Sequence, residues 1–278
     1  MLRVRDFSNY KFRPHAVGKL MKGLPKPLTP DQSKTFVGLI EKRRKGTLTD
    51  AQTITLADLI KKKNARPELS EGAKTYLKGI FKDEVFGRSK NVQSKYLTKG
   101  IGVEDENINQ YNEVHGTFLL KNETRYENDY FSGEPDIIED GIIYDFKSSW
   151  DYETFPLFED EVPNEDYEYQ LQAYMDLIPE YKQAKLVYGL VDTPDDLIID
   201  EKRRMAWKAG CIDGIPEDLD KEITNNMTYS DIPKEARIKE FLIYRDEKKI
   251  ALMKLMIDQA REYLNSLNIS LATHLQLI

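Results

Sequence analysis

A single cysteine, Cys211, stands among 278 residues. The chain therefore has no internal disulfide to form, and no four-cysteine zinc site or iron–sulfur cluster to build. Its three histidines, His15, His115 and His274, show no metal-ligand spacing and read as ordinary surface or core residues. A run of about 18 apolar residues, the minimum for crossing a bilayer, is also missing. The opening stretch MLRVRDFSNYKFRPH carries charges with no apolar segment behind them, so no secretory signal is expected and a cytoplasmic location is. Internal repeats and low-complexity segments are lacking too.

What the chain does have is charge, unevenly distributed. Its net −7 argues against a simple nucleic-acid binder, yet residues 1 to 100 hold 23 Lys and Arg against 9 Asp and Glu, while the remainder hold 18 against 39. A basic segment followed by an acidic one suggests phosphate binding in the first and cation binding in the second. The plainer alternative is that both charge runs are solvated faces.

Pro25, Pro27, Pro30 and Gly23 punctuate the early chain, and helical patterns follow over 30–44 and 50–63. In 70–86 the residues Ala73, Tyr76, Leu77, Ile80, Phe81 and Val85 recur at intervals of three and four, which predicts a helix with one apolar face. A polar helix is expected over 103–113. The period then changes, predicting strands at 115–121, 126–131, 135–139 and 142–148. A helix at 166–178, a strand at 185–192 and a strand at 236–244 come next, and the chain ends in a long helix with the stripe Ile250, Met253, Ile257, Ala260, Leu264 and Leu267. This order indicates a mixed α/β domain with helices packed on a central sheet. Residues 193–233 mix charge, Pro and Gly around one helix-like piece near Trp207.

The richest stretch is FSGEPDIIEDGIIYDFKSSW, residues 131–150. Asp140-Gly141 between two apolar runs predicts a two-residue hairpin turn with positive φ at both positions. If Glu139 pairs with Ile142, Asp136 falls directly opposite Asp145, with Cβ atoms about 5 Å apart. Like charges so placed repel, and a divalent cation with oxygen ligands would compensate. Lys147 shares a face with Asp145, while Phe146 points the other way into the core. Acid-x-Lys alone is weak, because Glu180, Asp200, Asp246 and Glu247 also begin such triplets. In the same register Lys147 sits opposite Glu134, so a plain cross-strand ion pair competes with a catalytic lysine. The flanking Ile137, Ile138, Ile142 and Ile143 favour the cation, since a repelling pair in an apolar hairpin is costly without one.

Pro135-Asp136 followed by Asp145-Phe146-Lys147 resembles the PD-(D/E)xK nuclease superfamily, and within it the phage lambda exonuclease and RecB-like (YqaJ-type) branch. Four further segments carry the resemblance. Lys99-Gly100-Ile101-Gly102-Val103-Glu104 resembles the helix whose glutamate completes the metal site, and Tyr169-Gln170-Leu171-Gln172-Ala173-Tyr174 resembles the branch's glutamine helix. Phe12 to Gly18 looks like its N-terminal helix start, and Tyr244 to Lys248 like its last strand-to-helix junction. The lone Cys211 sets aside the iron–sulfur members. By itself Glu104 also reads as one of several acids favoured at a helix N-terminus, and Gln170 as a residue bordering a core stripe.

The resemblance implies a restriction-endonuclease-like α/β core, a central mixed β-sheet flanked by helices, with a helical N-terminal region. One nuclease domain over 1–278 is expected: a basic helical part at 1–98, a catalytic core at 99–192, an insertion at 193–233, and a closing strand and helix at 234–278. It implies a metal-dependent DNA nuclease, a phage-type exonuclease acting on duplex DNA in recombination or DNA processing. One or two Mg²⁺ or Mn²⁺ ions would be held by Glu104, Asp136, Asp145 and the main-chain carbonyl of Phe146. Lys147 would orient the attacking water or neutralise developing charge, and Gln170 would position Lys147 or the phosphate. A ring-shaped homo-oligomer and a single-strand annealing protein are implied as partners. A non-catalytic nucleic-acid-binding module, and an endonuclease or junction resolvase on the same site, stay open at this point.

Overall fold

The computed structural model describes residues 5–88, 94–211 and 214–276. The chain opens with α1 (Pro14–Met21), begun by a proline in its first turn, then α2 (Pro30–Arg44) and α3 (Asp50–Asn64). Thr29 with Gln32, and Thr49 with Gln52, form reciprocal capping boxes that satisfy the first free N–H groups of α2 and α3. α4 (Glu71–Phe86), α5 (Lys95–Gly102) and α6 (Glu104–His115) complete the helical half. The second half holds β1 (Tyr126–Glu127), β2 (Ser132–Gly133), β3 (Ile137–Glu139), β4 (Ile142–Ser148), α7 (Glu165–Leu177) and β5 (Gln183–Gly189). α8 (Asp195–Lys208), α9 (Glu217–Met227), a 3-10 turn at Lys234–Arg237, β6 (Ile238–Tyr244) and α10 (Glu247–Gln276) follow.

β3, β4, β5 and β6 form one sheet in that order. β3 and β4 are antiparallel, β4 and β5 parallel through the α7 crossover, and β5 and β6 antiparallel, so the sheet is mixed as expected. The hairpin register is the expected one: Glu139 pairs with Ile142, Ile138 with Ile143 and Ile137 with Tyr144. Asp140 and Gly141 take φ of 49° and 79°, which is what a two-residue turn matching strand twist requires.

Alternation along β4 feeds two cores. Ile143 joins Leu186, Phe241 and Ile243 beneath α7, α1, α4 and α10, where Ile250, Met253, Ile257, Ala260 and Leu264 are all buried. Tyr144 and Phe146 join Ile108 and Tyr111 of α6, with Val187, on the opposite face. α1 and α4 pack into the first core, against the sheet. α2 and α3 do stand on a small core of their own, Leu39, Leu56 and Leu59. Within 193–233, α8 and α9 pair around Ile198, Ile223 and Met227; residues 212 and 213 of that stretch lie outside the described residues.

Of the expected strands, one is absent and one is cut short. Residues 115–121 are not a strand, because the Asn112 side chain accepts the Leu119 N–H (2.8 Å) and donates to the Leu119 carbonyl (3.0 Å), taking the place of a ladder partner. Over 126–131 only β1 forms, since Asn128 Oδ1 accepts the N–H groups of Tyr130 (2.9 Å) and Phe131 (2.8 Å) and turns the chain into β2. The helices α5 and α9 have no separate counterpart in the sequence pattern.

Candidate active site

Side chains alternate along β4, so Asp145 and Lys147 lie on the α7 face of the sheet. Asp145 is completely buried. Its Oδ1 accepts a hydrogen bond from Gln170 Nε2 of α7 at 2.7 Å. Its Oδ2 is held by the Lys147 ammonium alone, 2.5 Å away. Lys147 Nζ also lies 5.1 Å from the centre of the Tyr167 ring, on the first turns of α7. By sequence Lys147 has two possible partners, this acid and Glu134; the structure gives Glu134 to Arg125 instead, at 2.8 Å.

Asp136, just ahead of β3, is held by the hairpin: the Phe146 N–H donates to its Oδ2 at 2.7 Å. Burial, and after it the charge of Asp145, push the Asp136 carboxyl up from 3.8 to about 7, against the opposing pull of Lys147. Burial works against the Lys147 ammonium, but Asp145 and Asp136 together outweigh it and raise its value above 10.5. Two acids and a lysine are thus coupled at one point. Phe146 itself turns its ring away, edge-on to Tyr111 at 5.5 Å.

Glu104 opens α6 near enough to add to the raised Asp136 value, but its carboxylate is ion-paired with Lys121 at 2.9 Å. Gln170 touches Asp145 rather than Lys147. Gln172, its neighbour but one, is wholly buried elsewhere, clamping the Tyr244 carbonyl and the Asp246 N–H at 2.8 Å each.

Four side chains beside the site escape a reading of the sequence. Lys121 has no local signal at all, because its partner Glu104 is brought to it by the fold. Asn107, three residues beyond Glu104 on α6, donates to the Lys147 carbonyl and to Ser148 Oγ, both at 3.2 Å, and so fixes the end of β4 from behind. The spacing from Glu104 is the available signal. Gly189 opposite leaves room for this amide, since a Cβ there would come within 1.8 Å of Asn107 Oδ1 and displace it. Finally, Arg13 and Arg125 line a cleft of about 120 Å³ with His15, Glu134 and Tyr174. Tyr174 closes one wall by donating to the Glu134 carbonyl at 2.9 Å, two residues before Asp136.

Among the described residues no three His, Cys, Asp or Glu side chains converge into a metal cage. The donor set nonetheless suits a hard cation. It is all oxygen, the buried Oδ2 of Asp145 has no partner but the Lys147 ammonium, and Asp136 and Asp145 repel. Mg²⁺ commonly takes one or two carboxylates and completes its shell with water and phosphate oxygens. Glu104 joins such a set only by leaving Lys121.

No family model and no curated protein matches the chain. Solved structures do. A phage-related exonuclease from Haemophilus somnus 129PT superposes with a TM-score of 0.63 at 24% identity, over 95% of this chain and 97% of that one. An alkaline exonuclease, LHK-Exo, from Laribacter hongkongensis gives 0.56 at 10% identity over 98% and 96%. LHK-Exo in complex with dAMP gives 0.52 at 13% identity over 75% and 88%. The likeness establishes the fold: a central mixed sheet flanked by helices, the restriction-endonuclease-like α/β core. No helix of the described residues is long and apolar enough to cross a membrane.

Proposed function

We propose that a chain with this fold and this largely buried acid–acid–lysine cluster is a metal-dependent deoxyribonuclease, a phage-type exonuclease that hydrolyses phosphodiester bonds of duplex DNA. The observation that carries the reading is the coupling of Asp136, Asp145 and Lys147 at the end of one hairpin, where burial makes three charges costly unless they are used. Resemblance to solved exonucleases supports it.

In this reading Asp136, Asp145, the Phe146 carbonyl and, once freed from Lys121, Glu104 hold one or two Mg²⁺ or Mn²⁺ ions. What such a cation supplies when bound is acidity for the attacking water and charge to offset the anionic transition state. Lys147 swings from Asp145 to the reacting phosphate, orienting the water and neutralising the charge that develops there. Gln170 keeps the Asp145 carboxylate in one orientation throughout. Arg13 and Arg125 receive a neighbouring phosphate in the cleft beside Glu134. The basic α2–α3 hairpin grips the duplex backbone, with Lys42 to Lys45 exposed at one end and Lys61 to Lys63 in the last turn of α3.

A DNA-binding module without catalysis is the second reading, favoured by the ion pairs that occupy both Lys147 and Glu104. Incubating the purified chain with linear and with covalently closed circular duplex, in Mg²⁺ or in EDTA, separates the readings. Mg²⁺-dependent loss of the linear form alone is expected. Cleavage of the circle would make the protein an endonuclease, and binding without cleavage in Mg²⁺ or Mn²⁺ would leave only the second reading.

A further inference from the structure

β6 is an outer strand of the sheet, and one of its edges is open. At its two ends the bonds to β5 run through odd-numbered positions: the Arg237 carbonyl accepts the Leu190 N–H at 2.8 Å, and the Arg245 N–H donates to the Lys182 carbonyl at 3.0 Å. Antiparallel alternation then turns the N–H and C=O groups of Ile238, Glu240, Leu242 and Tyr244 away from β5. Gln172 satisfies the Tyr244 carbonyl. Among the described residues nothing bonds to the main chain of Ile238, Glu240 or Leu242. A seven-residue edge of this kind spans about 24 Å and is a template for another strand unless something blunts it.

A cleft of about 680 Å³ runs along this edge. Consecutive residues from Lys239 to Tyr244 line it, so it follows the main chain and not one face of the strand. Its far wall is mostly acidic: Glu159, Asp160 and Glu161, with Glu165 and the Lys249-paired Glu168 where α7 begins, against one lysine, Lys26. Glu159, Asp160 and Glu161 are exposed and make no ion pair among the described residues. On the other face of the strand Leu242 and Tyr244 are 48% and 62% exposed. A strand added here would therefore place alternate side chains towards carboxylates and towards apolar surface. The same carboxylates repel a nucleic-acid backbone.

We propose that the β6 edge docks an extended peptide segment of a partner protein, in which Lys or Arg alternates with apolar residues, as a fifth strand of the sheet. Main-chain hydrogen bonds to Ile238, Glu240 and Leu242 hold the segment, and the acidic wall selects its charge. The edge lies two strands from Asp145, and the inference does not depend on the nuclease reading.

The test uses the full chain and a fluorescein-labelled ten-residue peptide alternating lysine with valine, its binding followed by anisotropy at physiological salt. Binding is expected. It should weaken by about tenfold or more, or about 1.4 kcal/mol, for a glutamate–valine peptide and for the exposed triple variant Glu159→Lys, Asp160→Lys, Glu161→Lys. Two further peptides carry N-methyl groups on all lysine nitrogens or on all valine nitrogens. One of them should lose binding and the other keep it, because only one alternate set of N–H groups faces β6. No binding, equal binding by the triple variant, or the same response to both methylated peptides would overturn the proposal. So would concentration-dependent self-association abolished by Leu242→Pro, which would make a second copy of the chain the occupant.

Discussion

Two hairpins in this chain handle charge in opposite ways. In the β3–β4 hairpin Asp136, Asp145 and Lys147 are drawn largely out of water, set against one another and fixed from both sides by Gln170 and Asn107. In the α2–α3 hairpin the charges stay on the surface, as in the Lys45–Glu41 pair at 2.9 Å, where both side chains are more than half exposed. Surface pairs of that kind are worth little and are screened by salt, whereas a buried pair loses several kcal/mol when one partner is removed. The first hairpin should accordingly govern what happens to a bound phosphate, and the second only how tightly the backbone is held.

The largest effect expected from this contrast is on Lys147→Ala. Turnover should fall about a hundredfold to a thousandfold, the scale on which one transition-state charge acts, with little change in duplex affinity. A variant that keeps its turnover and loses affinity would move Lys147 into the class of the α2–α3 lysines. Next comes pH. The Asp136 carboxyl is raised from 3.8 to about 7, chiefly by burial and then by Asp145, so between those values the folded chain binds more protons than the unfolded one. Stability in EDTA should therefore be fullest below about pH 4 as far as this group is concerned. It should fall by on the order of a few kcal/mol as pH rises to about 7. Thermal melting of wild type beside Asp136→Asn, which removes the titration, measures it; parallel pH profiles for the two would show that the pair is not strained. The smallest effect belongs to the other hairpin. Changing Lys42, Arg43, Arg44 and Lys45 to Ala should weaken duplex binding irrespective of sequence, and should lessen the salt slope by about 0.9 for each phosphate no longer neutralised. Cleavage at saturating DNA should not change. An unaltered slope would place the DNA path elsewhere.

The same contrast explains what can be read from the sequence. The β3–β4 hairpin is legible because its geometry is local: Asp140-Gly141 fixes the turn, the turn fixes the register, and the register brings Asp136 to Asp145. The stripe of α10 and the capped helices α2 and α3 are equally local patterns. Where side chains replace ladder partners, pattern reading fails. Asn112 and Asn128 satisfy main-chain groups that β-propensity alone assigns to strands at 115–121 and 126–131. Lys121 is invisible for a related reason, as its pairing with Glu104 exists only once α6 has packed against the sheet. Gln170 stands out in the sequence but its partner does not, since the tilt of α7 over β4 decides between Asp145 and Lys147.

The central claim is that the repelling carboxylates Asp136 and Asp145 are kept together in order to bind a cation. Mn²⁺ titration followed by electron paramagnetic resonance tests it directly, with wild type beside Asp145→Asn and with Mn²⁺-dependent cleavage of linear duplex measured on the same preparations. The amide keeps the shape of Asp145 and can still accept the hydrogen bond from Gln170. Wild type should bind Mn²⁺ and cleave, and Asp145→Asn should remain folded, bind far less Mn²⁺ and cut about a thousandfold more slowly. Equal Mn²⁺ binding or equal cleavage by the two proteins would contradict the account.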